Sequence, residues 1–168
     1  MLIDDLFDRA LLEAALATSS DPETPDPETM HDIVRRTLRI AVVGISRDPT
    51  KAARRVPSYL ASRGAEILPV NPHADRILGR EVLDSLDDIE AEVDMVLVFR
   101  PSAEAGDVIR QAMRRPEKPV IWLQEGIRDD VAAAEARAAG LTVVQDLCMY
   151  KVHRALGDTL RRAGQTPP

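Results

Sequence analysis

The sequence predicts an α/β domain built on a doubly wound parallel sheet. Three observations lead there. Short runs that are apolar throughout, such as residues 40–43 and 95–98, suit strands covered on both faces. Longer stretches with apolar residues three and four apart separate these runs. Gly64 and Gly140 stand where two of those helices should stop, each just before the next apolar run. Strand and helix patterns that alternate in this way belong to parallel strands joined by crossover helices.

The elements follow in order. Leu2, Ile3, Leu6, Leu12 and Leu16 lie among Asp4, Asp5, Asp8, Arg9 and Glu13, which predicts an extra amphipathic N-terminal helix within residues 1–18. Residues 19–29 hold Pro22, Pro25 and Pro27 among Asp, Glu and Thr, so an acidic, proline-rich linker with nothing to bury is expected. Periodicity resumes at Met30, Ile33, Val34 and Leu38, with Thr29 or Asp32 as the expected cap. Strands are expected at 38–43, 66–70, 94–99, 120–123 and 141–144, with a short edge strand near 81–83 after the turn at Gly79. The helical faces are Val56, Tyr59 and Leu60; Ala105, Val108, Ile109, Ala112 and Met113; Val131, Ala134 and Ala138; and Met149, Val152, Leu156 and Leu160. Pro57 puts the start of its helix near Arg55, where a missing amide does little harm. Residues 30–163 then form one domain, and 164–168 a flexible tail.

Composition narrows the function. The chain of 168 residues suits a single core, and its net charge of −6 excludes a broad phosphate-tracking surface, so no nucleic-acid partner is expected. Cys148 is the sole cysteine, which rules out an intramolecular disulfide and fits a reducing, cytoplasmic setting. No apolar run approaches the ~18–20 residues of a membrane span, and the first residues lack the positive start of a signal peptide. His31, His73 and His153 are scattered without metal-ligand spacing, so no metal is expected.

Ligands of open parallel sheets bind at the carboxyl ends of the strands, near the point where strand order reverses. After the first strand the chain runs Gly44-Ile45-Ser46-Arg47-Asp48-Pro49-Thr50-Lys51-Ala52-Ala53-Arg54-Arg55. Gly44 permits a tight turn and close backbone approach, Ser46 offers a hydroxyl, and the helix start offers free amides to an anion. Lys51, Arg54 and Arg55 supply local attraction for a polyphosphate in an acidic chain. The same residues also read as a plain turn followed by a solvated basic face, since one glycine is not a dinucleotide fingerprint. The second strand ends Val70-Asn71-Pro72, without the carboxylate that holds the ribose in NAD sites. A nucleotide with an extra ribose phosphate fits better, and coenzyme A and NADP both carry one.

Taken in order, Val42-Val43-Gly44-Ile45-Ser46, Pro49-Thr50-Lys51, Arg55-Val56 with Tyr59-Leu60, Pro69-Val70-Asn71-Pro72, Val98-Phe99-Arg100-Pro101, Trp122-Leu123-Gln124-Glu125-Gly126-Ile127 and Asp146-Leu147-Cys148 form a specific series. Over about residues 30–157 it resembles the small CoA-binding proteins of the Rossmann type, relatives of the nucleotide domain of the succinyl-CoA synthetase alpha subunit. The resemblance implies a Rossmann-like sheet of order 3-2-1-4-5-6, the edge strand counted third. It implies that Gly44, Ser46, Lys51 and Arg55, with Ile45 and Arg54 beside them, handle the phosphates. Val70, Asn71 and Pro72 would border the adenosine, and Phe99, Arg100 and Pro101 with Gln124, Glu125 and Gly126 the pantetheine arm. The chain departs from the family pattern at Ala53, Leu147 and Val152, where Ser, Arg and Glu are common, and each departure removes a polar group.

The resemblance does not bring the synthetase reaction with it, because that enzyme needs a phosphohistidine domain and a nucleotide-binding partner subunit. The expected function is non-catalytic binding of coenzyme A or an acyl-CoA as carrier, sensor or regulator, with no catalytic residue. An NADP-dependent oxidoreductase or redox sensor is the alternative, opposed by the missing second and third glycines of the fingerprint. A third reading is a scaffold whose N-terminal helix docks a protein partner or a second copy in a homodimer. Cys148 reads either as a small buried hydrophobe or as a thiol that exchanges with the thiol of the coenzyme. Glu125 either meets the ligand arm or accepts from the amides of the following helix, and Trp122 reads as core.

Overall fold

A computed structural model describes residues 2–157, with side chains from residue 9 onward. The expected tail at 164–168 and Leu160 of the last helical face lie outside the described residues. The helices are α1 (Leu2–Leu16), α2 (Pro27–Arg36), α3 (Ala52–Ser62), α4 (Ser102–Met113), α5 (Asp130–Ala138) and α6 (Met149–Leu156). The strands are β1 (Arg39–Val43), β2 (Glu66–Val70), β3 (Arg76–Ile77), β4 (Arg80–Glu81), β5 (Met95–Val98), β6 (Val120–Leu123) and β7 (Val143–Val144).

Five parallel strands form one sheet in the order β2-β1-β5-β6-β7. Because successive strand residues point to opposite faces, the apolar strands serve two cores. Ile40, Val42, Met95, Leu97, Trp122 and Val144 pack with α1, α2, α3 and α6. Ala41, Val43, Val96, Val98, Ile121, Leu123 and Val143 pack with α4, α5 and a short 3-10 turn at Leu86–Asp88. Helices on both faces make the sheet doubly wound, as the apolar runs predict.

The expected edge strand is reduced to one bridge, Val70 with Leu83. Leu83 N–H donates to Pro69 O, and Asn71 N–H donates to Leu83 O. The next rung outward would need an amide from Pro69, which has none, so the ladder stops. Residues 80 and 81 pair instead in the small hairpin β3-β4.

Four local expectations are corrected. Helix α2 starts at Pro27 and is capped by Asp26, whose carboxylate accepts from Thr29 N–H; proline is well placed in a first turn, so the helix begins earlier than its apolar face. Helix α3 starts at Ala52, which leaves Pro57 inside it. The missing amide frees the Ala53 carbonyl, which accepts from Ser46 N–H at 3.1 Å. Helix α5 buries Ala132, Ala133 and Ala136 while Val131 is 68% exposed, because an alanine-rich helix offers two faces of equal spacing and Asp129, its cap, sets the phase. Finally, residues 19–24 lie against the body. Ser19 Oγ donates to Gln145 O at 2.7 Å, and buried Asp21 accepts from Arg137 at 3.0 Å and Gln145 at 3.1 Å. A segment without apolar surface is held here by polar partners.

Candidate functional site

At the carboxyl ends of β1, β2 and β5 lies a cavity of about 370 Å³, bordered by Gly44, Val70, Asn71, Pro72 and Arg100. Gly44 adopts φ +86°, and its N–H donates to Val70 O at 3.0 Å. A Cβ at this position would lie 2.8 Å from Arg100 Cδ and 3.2 Å from the Phe99 carbonyl carbon. Glycine is therefore required both by conformation and by the close approach of the β5 end. Asn71 ties the two loops together: Nδ2 donates to Ile45 O at 2.8 Å, while Oδ1 accepts from His73 N–H at 2.8 Å. Ile45 is fully buried, so its backbone rather than its side chain serves the site.

The loop from β1 to α3 is fixed before any ligand arrives. Ser46 N–H is engaged by Ala53, and Ser46 Oγ accepts from Asp48 N–H at 3.0 Å. The Asp48 carboxylate accepts from both the hydroxyl and the amide of Thr50, and these bonds hold its carboxyl below the usual carboxylate range. No side chain caps α3 at Lys51, and its first turn carries no acid. The first amides of that helix, with the positive end of its dipole, are open to an anion. Lys51, Arg54 and Arg55 flank them and enter no ion pair among the described residues, whereas Arg100, Arg115 and Arg137 are matched by carboxylates.

The β6 end carries the second group. Gln124 is buried; its Oε1 accepts from Met149 N–H at 3.2 Å, and its own N–H donates to Val98 O. Glu125 is exposed and pairs with Lys151 at 2.9 Å, so it does not cap α5, a task that falls to Asp129. Gly126 adopts φ +84° and donates its N–H to Asp146 Oδ1 at 2.6 Å. Phe99 is half-buried against the core that includes α3 and α6, and Pro101 immediately precedes α4 at its N-cap position. Trp122 is fully buried, its indole N–H donating to Leu147 O at 2.8 Å. Cys148 is 7% exposed, in the core at the start of α6, the environment of a small hydrophobe. Leu147 and Val152, two of the departures, fill the same core.

The structure adds His73, Asp84, Glu104 and Asp107 to the cavity border, none of which sequence reasoning selects. Glu104 alone had a legible signal, lying four residues after Arg100, whose Nε donates to it at 2.7 Å. Among the described residues no cluster of His, Cys, Asp and Glu could hold a metal, and no helix is long and apolar enough to cross a membrane.

A parallel sheet of order β2-β1-β5-β6-β7 with helices on both faces is a Rossmann-like architecture. Residues 38–154 match the CoA binding domain family, and the chain belongs to it. It is 34% identical to the uncharacterized protein YneT of Bacillus subtilis (strain 168), over 78% of this chain and 96% of that protein. A hypothetical protein from Pyrococcus horikoshii OT3 superposes with a TM-score of 0.74 at 31% identity, covering 83% of this chain and 100% of the other. The ADP-forming acetate–CoA ligase II of Archaeoglobus fulgidus is 30% identical over 54% of this chain, which corresponds to 14% of the ligase.

Proposed function

We propose that this protein binds coenzyme A or an acyl-CoA in the cytoplasm without transforming it, as a carrier, sensor or regulator. The observation that carries the reading is the uncapped start of α3, on the loop that follows Gly44, where Lys51, Arg54 and Arg55 enter no ion pair among the described residues. Coenzyme A brings a pyrophosphate and a ribose 3′-phosphate, a charge load that suits open amides plus three cations. The end of β2 presents Asn71 and Pro72 where an NAD site would place a carboxylate. Ser46 Oγ already accepts from Asp48 N–H within its own turn, so it serves the shape of the loop. The acetate–CoA ligase matches over a small part of its length, and its reaction is not carried over.

Calorimetric titration of the full chain with coenzyme A, dephospho-CoA, NADP and NAD tests this. Saturable binding of coenzyme A, weakened when the 3′-phosphate is absent, is the expected result. Binding of NADP alone would establish the redox alternative, and binding of none of the four would refute the nucleotide reading.

A further inference from the structure

A hydrogen-bonded group links the N-terminal segment to the loop at the end of β6. Asp146 has φ +51°, a left-handed conformation that non-glycine residues seldom adopt. Its carboxylate bridges two chain segments. Oδ1 accepts from Gly126 N–H at 2.6 Å, while Oδ2 accepts from Ser20 Oγ at 2.6 Å and from Ser20 N–H at 3.0 Å. Arg128 closes the group by donating to Ser20 O at 2.7 Å and Ser20 Oγ at 3.0 Å. Asp130 in turn accepts from Arg128 at 2.8 Å. On either side of Ser20 the segment is anchored, by Ser19 on the Gln145 carbonyl and by buried Asp21 on Arg137 and Gln145.

Packing does not fix the Gly126 turn. Nothing lies within 4 Å of where a Cβ on Gly126 would stand, so its left-handed geometry is held by hydrogen bonds. Those bonds are Ile127 N–H to Gln124 O, which closes the turn, Gly126 N–H to Asp146 Oδ1, which aims it, and Asp146 N–H to Ile127 O at 3.1 Å, which ties it to the chain after β7. The second depends on a carboxylate whose other oxygen is occupied by Ser20. Resting on the reading of residues 124–126 as the border of the pantetheine arm, we propose that residues 19–21 form a strap in which Ser20, through Asp146, positions that loop for the ligand. Ser20 and Asp146 are thus positioning residues for the thiol end of the site, Ser20 supplied by a segment outside the matched family region and Asp146 by that region itself. By linkage, whatever the docked strap adds to ligand affinity, the ligand adds to strap docking.

The test titrates the full chain and its Ser20→Ala, Ser20→Thr and Asp146→Asn variants with coenzyme A and with adenosine 3′,5′-bisphosphate, which lacks the pantetheine arm. Asparagine tolerates the left-handed conformation, so Asp146→Asn removes the charge while keeping the backbone. Asp146→Asn should weaken coenzyme A binding about tenfold, and Ser20→Ala several-fold, with the bisphosphate within about twofold of the parent. Ser20→Thr keeps the hydroxyl and should restore coenzyme A affinity. Equal losses for both ligands, or no loss for either, would overturn the proposal. Should the parent chain bind neither ligand, the nucleotide reading fails by itself, and the strap is judged by amide exchange without ligand. Faster exchange at Gly126 in Ser20→Ala than in the parent supports positioning, and unchanged exchange overturns it.

Discussion

Position 44 combines two constraints that single residues seldom share: a left-handed backbone and a neighbour at 2.8 Å. The glycine was legible from its place after an apolar run, but its contact with Arg100 was not, because β5 reaches β1 only through the sheet. Gly44→Ala should cost about 1–2 kcal/mol from the backbone conformation alone, before any shift of Arg100. Urea denaturation of the two proteins gives the difference directly. The carboxylates of the strap make a second prediction at this scale. Burial pushes the Asp146 carboxyl upward, but hydrogen bonds from Ser20 and Gly126 outweigh it and hold the group below its ordinary value of 3.8. A lowered folded value means that the unfolded chain takes up the proton first on acidification. The stabilisation is complete above about pH 4 and is lost as pH falls through the lower folded value. Between pH 5 and pH 3 the parent should therefore lose stability more steeply than Asp146→Asn, as denaturation curves at stepped pH would reveal.

The elements differ in how clearly the sequence announces them. Strands β2 and β6 occupy the residues expected of them, because short, mostly apolar runs bury most of their length against the helices on the two faces. Helix α5 was legible as a helix and illegible in its facing, since alanines occupy both candidate faces and only the Asp129 cap and the packing decide between them. The start of α3 was obscured by Pro57, which reads as a first-turn residue yet sits deeper. Its function becomes visible only when the Ala53 carbonyl is seen accepting from Ser46. In Pro57→Ala the new amide competes for that carbonyl. Amide exchange at Ser46 should then rise several-fold, reporting a loosened phosphate loop. Unchanged exchange would mean that the loop is held by the Asp48 and Asn71 contacts alone.

At the scale of the molecule, among the described residues an acidic chain carries Lys51, Arg54 and Arg55 without ion pairs at one strand-to-helix loop, while carboxylates match most of the other arginines. That loop was legible because glycine, hydroxyl and cations lie within a few residues of one another. The strap was not, because Ser20 and Asp146 are 126 positions apart and polar pairing leaves no periodic trace. The same limit hid His73, Asp84 and Asp107, which meet only across the cavity. In the proposed function, coenzyme A lies across the carboxyl edge of the sheet, from the Lys51 loop to Gly126. Mapping amide chemical shifts of the full chain during titration with coenzyme A tests it most directly. Saturable shifts are expected at residues 44–55, 70–73, 99–101 and 124–126. Shifts confined to the opposite edge, in the hollow bordered by Arg36, Thr37, Lys118 and Thr142, would contradict it.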